Sequence, residues 1–155
     1  MRRIRDTPQA TLGGALSPSS VAGGSQYELD IAYYLYQHNW WLYLGGEAAA
    51  NVVGYFPTSI YRGGAMASYA EEIDYGGEVV GTTSWPPMGS GQFAATGWKH
   101  AAYQRQVHYF LLTGGRTNAS LTPSATSHCY SSLVRTYAAP WSETLWFGGP
   151  GGTNC

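Results

Sequence analysis

From Gln26 onward the chain alternates, with Tyr27, Leu29, Ile31, Tyr33 and Leu35 on one side and Gln26, Glu28, Asp30, Ala32 and Tyr34 on the other. A period of two marks a strand with one buried face, which predicts a strand that keeps Glu28 and Asp30 on its wetter side. A turn at His38-Asn39, an apolar run Trp40-Trp41-Leu42-Tyr43-Leu44, a Gly45-Gly46 turn and a third run from Asn51 to Phe56 extend this into an antiparallel meander. Pro57-Thr58-Ser59 predicts the start of the one short helix, through about Tyr61, resuming at Met66 to Ala70 after Gly63-Gly64. Further strands are expected over Glu71 to Thr82, Tyr103 to Leu112, Cys129 to Tyr137 and Thr144 to Phe147. Between them, Trp85 to Gly91 is too rich in Pro and Gly for a strand, and Gly148 to Gly152 reads as an exit turn. Residues 1–25, rich in Gly, Ser and Pro, are expected to be a flexible or edge segment leading into one domain over 26–155.

Composition sharpens the picture toward an all-β fold. Among 155 residues there are 21 Gly, 13 Tyr and 6 Trp, which suits strands joined by glycine turns and suits helices poorly. The net charge is −1 with scattered basic residues, so no stripe of Lys and Arg is available to neutralise phosphates or anionic lipid. Nucleic acid and membrane surfaces are therefore not expected as partners. The apolar runs are far shorter than the roughly 20 residues of a spanning helix. Met1-Arg2-Arg3-Ile4-Arg5-Asp6 has the charge of a signal-peptide start but no apolar stretch follows, and no export signal is expected within the chain.

Cys129 and Cys155 are the only cysteines and lack Cys-x-x-Cys spacing, so a disulfide is expected between them. Closing a loop of that length removes unfolded-chain entropy worth roughly 3–4 kcal/mol and implies an oxidising compartment. Asn118-Ala119-Ser120 is a glycosylation sequon, which points the same way.

The segment Tyr75-Gly76-Gly77-Glu78-Val79-Val80 places a carboxylate in an otherwise strand-like run. Such an acid must be paired, hydrogen-bonded or chemically useful, and two glycines before it allow the backbone to bulge and re-aim the side chain. On a regular strand Asp74 would lie about 13 Å away, too far to share a proton. A second carboxyl would come from a neighbouring strand, with Glu28 first and Asp30, Glu71 and Glu72 behind it. The simpler alternative is an ion pair between Glu78 and Arg62, Arg105 or Arg135. His38, His100, His108 and His128 show no metal-ligand spacing. Gly89-Ser90-Gly91 lacks the strand and helix of a nucleophile elbow, and the terminal glycines lack the Lys-Ser/Thr of a phosphate loop. The Trp and Tyr residues are expected mainly in the core, with stacking on sugars or proline as the alternative.

Seven short motifs occur in one order: Gly24-Ser25-Gln26-Tyr27-Glu28-Leu29, Asn39-Trp40-Trp41-Leu42, Val53-Gly54-Tyr55-Phe56-Pro57, Tyr75-Gly76-Gly77-Glu78-Val79, Met88-Gly89-Ser90-Gly91, Cys129-Tyr130, and Phe147-Gly148-Gly149-Pro150-Gly151-Gly152 before Cys155. Together they resemble the neprosin family over about residues 11 to 155. That resemblance implies a secreted antiparallel β-sandwich, jelly-roll-like, that acts as a glutamic endopeptidase on proline-containing peptides or proteins in acid, without metal or cofactor. It implies that Glu78 matches one glutamate of the catalytic pair and that Cys129 and Cys155 match a family disulfide. The other glutamate belongs to a Glu-Ala-Gly-Trp-like motif upstream of the Gln-Tyr segment and is expected to lie outside these residues, so that the chain resembles the C-terminal part of the domain. Glu28 is then the speculative partner of Glu78, and Tyr75 stands where Trp is usual. The alternative expectation is a catalytically inactive, secreted or cell-wall-associated binding module.

Overall fold

The structure is a computed structural model that describes residues 2–3, 15 and 17–155. Most of the segment 1–25 therefore lies outside the described residues. The chain packs into two units, one of Ser25–Ile73 with the described residues up to Ser20, the other of Asp74–Cys155 with Val21–Gly24. Each is all-β, with no helix beyond single 3-10 turns among the described residues.

In the first unit β1 (Arg2–Arg3) pairs in parallel with β2 (Tyr27–Glu28). The strands β3 (Ile31–Tyr36), β4 (Asn39–Leu44) and β5 (Val52–Pro57) form the expected antiparallel meander. The β3–β4 turn falls one residue earlier than expected, on Gln37 and His38, both at positive φ as a two-residue hairpin requires. Asn51 closes the next turn by donating its Nδ2 to the carbonyls of Gly45 and Gly46, each at 3.1 Å.

Both faces of the meander carry aromatic pairs. Tyr33 stacks on Trp40 at 5.3 Å with Phe56 edge-on to Tyr33, while on the other face Tyr34 stacks on Tyr43 at 5.1 Å and Trp41 lies 4.8 Å from Tyr55. The alternation was expected to bury the Ile31 side of β3. Instead Ile31 is 63% exposed and Ala32 is buried, because Tyr34 and Tyr43 cover the Ala32 side. The helix expected after Pro57 is two 3-10 turns, Thr58–Tyr61 and Ala65–Ala67. Arg62 at φ 49° and the following glycines stop propagation, and the Met66 carbonyl accepts the indole N–H of Trp40 at 2.6 Å.

The second unit is built on β6 (Ala102–Arg105), β9 (Ser131–Thr136) and β10 (Glu143–Gly148), with β10 in the centre. The strand expected over Tyr103 to Leu112 is divided at Gln106, which takes φ 56°, so that β7 (His108–Phe110) leaves to pair with β8 (Arg116–Asn118). Register puts Tyr103 and Trp146 on one face of the sheet, where they join Leu133, Trp141, Ala94 and Ala101 in the core, with the exposed Trp98 packed on Tyr103 and Trp141 at its edge. Trp141 stacks on Trp146 at 5.6 Å, and Trp146, only 4% exposed, donates its indole N–H to the Tyr137 hydroxyl at 3.1 Å. The opposite face carries Ala102, Gln104, Leu145 and Phe147.

The glycine-rich end of the chain is more than a turn. Trp85 bridges Gly152 and Met88 bridges Gly149, so the Pro-rich loop and the last residues pair across one another. Gly151, at φ 68°, lies so close to the carbonyls of Trp85 and Pro86 that a Cβ there would overlap them. Tyr130 clamps the same loop by donating its hydroxyl to the Pro86 carbonyl at 2.9 Å.

Candidate functional site

The segment expected as a strand over Glu71 to Thr82 is not one. Among the described residues no backbone–backbone hydrogen bond reaches residues 70–84. The reason is local: two adjacent glycines weaken strand packing, and Gly76 at φ 156° turns the backbone out of register. With the strand goes the spacing that set Asp74 at a fixed distance from Glu78.

What holds the segment is side-chain chemistry between it and β6, β7 and β10. The Tyr75 hydroxyl donates to the His108 carbonyl at 2.7 Å, and burial, with a smaller contribution from Tyr109, pushes the phenol pKa up, so it stays a donor. Gly77 lies on the Phe147 ring, where a Cβ would come within 2.7 Å of a ring carbon. Only glycine passes there without displacing the ring, which gives the double glycine a packing reason as well as a conformational one.

Glu78 follows directly and is exposed. Among the described residues it makes no hydrogen bond and no ion pair. Two of the arginines considered for it are engaged elsewhere: Arg105 donates to the Pro140 carbonyl at 2.8 Å and lies over Trp141, and Arg135 donates to the Val134 carbonyl at 3.1 Å. The Glu78 carboxylate is thus open to solvent on a backbone held from below.

Glu28 is half-buried at the end of β2, in the other unit. Asp30 is half-buried beyond it, while Glu71 and Glu72 are exposed, with Tyr69 donating to Glu71 at 3.5 Å. Ser90 is used inside its own turn, donating to the His100 carbonyl and accepting from the Gln92 amide at 3.3 Å. No group of three or more His, Cys, Asp or Glu that could hold a metal occurs among the described residues, and none of the described helices is long and apolar enough to cross a membrane. Asn118 is exposed at the end of β8. Cys129 and Cys155 are joined in a disulfide with a Cα–Cα distance of 5.6 Å. Near the bulge between Leu42 and Tyr43, the residues Leu42, Val53, Gly54, Tyr55 and Phe56 line a shallow apolar notch.

The order of these parts matches a known family: the sequence fits the family model described as Neprosin over residues 4–150. The chain belongs to the neprosin family. Neprosin-family membership makes this a peptidase-type domain, and the disulfide is the kind of bond that extracellular proteins keep. No solved structure matches the chain. Within this family frame, reading motifs alone passed over Gln104, which lies beneath Gly76, and the anchoring hydroxyls of Tyr75 and Tyr130. The alternation of β6 carried a signal for the first, because a Gln beside Tyr103 falls on the opposite face of its strand.

Proposed function

We propose that the chain supplies Glu78 to a glutamic peptidase site that hydrolyses peptide bonds next to proline at acid pH. The observation that carries this reading is an exposed carboxylate without an ion-pair partner among the described residues, in the Tyr75-Gly76-Gly77-Glu78 segment, which resembles a family motif except for Tyr75 where Trp is usual. An ionised Glu78 takes a proton from water, whose oxygen bonds to the peptide carbonyl carbon. A second, protonated carboxyl donates to the oxyanion that forms, and the proton held by Glu78 passes to the leaving nitrogen as the C–N bond breaks. Glu28 is the candidate for that second carboxyl within these residues. No metal or cofactor enters the scheme. The setting is secreted, in line with the disulfide and with the glycosylation sequon at the exposed Asn118.

Replacing a general base costs roughly 10²–10⁴-fold in rate, so Glu78→Gln is expected to abolish acid cleavage of a proline-containing peptide. Glu28→Gln is expected to do nearly the same. Unchanged turnover in Glu78→Gln rejects the enzyme reading, and unchanged turnover in Glu28→Gln alone moves the second carboxyl to another residue. The apolar notch rimmed by Tyr55 and Phe56 supports a second reading, an inactive module that binds proline-rich or glycan ligands. Binding of such a ligand that survives Glu78→Ala, without hydrolysis in any buffer, favours that one.

A further inference from the structure

Gln104 stands on β6 opposite Leu145, on the face of the sheet that also carries Ala102 and Phe147. Its neighbours Tyr103 and Arg105 lie on the other face, against Trp146 and Trp141. A long polar side chain among apolar ones is costly unless its amide is hydrogen-bonded. One half of the amide is bonded: Nε2 donates to the carbonyl of Gly76 at 3.1 Å. The other half is not, since among the described residues Oε1 is buried without a partner. A leucine or methionine would fill this place with no orphaned oxygen, so the bond to Gly76 is what the amide contributes here.

That bond has a particular address. Gly76 lies in the stretch that has no backbone partners of its own among the described residues, two positions before Glu78. The Tyr75 hydroxyl on His108 and the Gln104 amide on Gly76 fasten consecutive residues, and the Phe147 ring bears on the third. Beyond that third residue comes the carboxylate. We propose that Gln104 is a positioning residue for Glu78, fixing through the Gly76 carbonyl the height and direction at which the carboxylate stands over the sheet. The proposal rests on the peptidase reading for its catalytic consequence, and on geometry alone for its structural one.

Two substitutions separate the two. Gln104→Met keeps length and apolar bulk and removes the donor. Gln104→Glu keeps a donor only while its carboxyl is protonated. The local readout is cleavage after Glu78 by an added glutamyl endopeptidase, followed by mass spectrometry at about pH 4 and about pH 8, on either side of the carboxyl's ordinary range. Cleavage after Glu47, exposed in the other unit, serves as the control. Losing one hydrogen bond is expected to raise cleavage after Glu78 about tenfold in Gln104→Met at both pH values, with the Glu47 site unchanged. Gln104→Glu is expected to match the parent at the lower pH and the methionine variant at the higher.

The catalytic readout is turnover of a proline-containing peptide. There kcat falls about tenfold in Gln104→Met with KM unchanged, and acid restores it in Gln104→Glu but not in Gln104→Met. Equal cleavage after Glu78 in parent and Gln104→Met overturns the positioning role, as does a rise at Glu78 and Glu47 alike, which reports general unfolding. If instead the cleavage pattern appears as expected while Glu78→Gln keeps full turnover, the positioning stands and the peptidase reading falls.

Discussion

The meander of the first unit and the β6–β10–β9 sheet of the second use similar materials in different ways. In the meander each strand pairs with the next in sequence, and its aromatic pairs form across hairpins, so order comes from contacts that short loops close. In the second unit β10 enters between β6 and β9, the Pro-rich loop pairs with the last residues, and a disulfide spans 26 positions. That unit depends on distant parts of the chain meeting. It also carries the exposed Glu78, on a segment that borrows its order from the sheet below it. The lesson is that the candidate working residue is held by the long-range unit, so stability there and function are coupled.

The sharpest way to break this comparison is to open each core. Trp146→Ala, at the centre of the second unit's aromatic cluster, is expected to cost about 3–5 kcal/mol in chemical denaturation. Trp40→Ala in the meander should cost less, about 3 kcal/mol at the low end of that range, because Tyr33 and Phe56 beside it are partly at the surface and can settle into the gap. Equal losses would mean that the meander is as tightly packed as the other sheet. Next in size is removal of the disulfide: the paired substitution Cys129→Ser with Cys155→Ser should lower unfolding free energy by about 3–4 kcal/mol. A denaturation midpoint that matches the parent would show that the Trp85–Gly152 pairing closes this loop unaided.

A smaller effect tests that pairing. Gly151→Ala places a Cβ on the carbonyls of Trp85 and Pro86 at a φ of 68°, for an expected loss of about 1–3 kcal/mol. A thermal melt that does not move would mean that the loop gives way. The mildest contrast is alkaline. A hydrogen bond with Tyr43, then burial, pushes Tyr34 up to about 12; burial, then a hydrogen bond with Tyr61, raises Tyr33 as well. A raised folded-state pKa holds its full stabilisation below the ordinary tyrosine value near 10 and loses it as pH climbs through the folded value. Phenolate absorbance should therefore show Tyr33, Tyr34 and Tyr75 ionising above the ordinary tyrosine value near 10, with the meander loosening between about pH 10 and 12. Removing Tyr43 as Tyr43→Phe should bring the Tyr34 step back toward 10, and a titration already centred there in the parent would contradict the stacked pair as drawn.

Much of this was readable in advance where neighbours in sequence become neighbours in space. The hairpins joining Ile31–Tyr36, Asn39–Leu44 and Val52–Pro57 follow from alternation and turn residues, and the two cysteines left one pairing open. The same alternation misplaced Ile31, because Ile31 outranks Ala32 in hydrophobicity while cover from Tyr34 and Tyr43 keeps Ala32 dry, although Trp40 on the Ile31 side is buried too. The stretch around Glu78 failed as a strand for a related reason: its residues suit one, but among the described residues its backbone has no partner to pair with.

By itself the sequence determined the all-β character, the family and the acid worth testing, since these rest on residue types and on spacing within short windows. Tertiary structure alone decided that Gln104 reaches Gly76, that Phe147 requires a glycine at 77 and that Arg105 and Arg135 turn to the carbonyls of Pro140 and Val134. Those outcomes depend on which strand lies beside which, and that order is fixed by the total burial and hydrogen bonding of the sheet, a sum over distant residues that no local pattern contains.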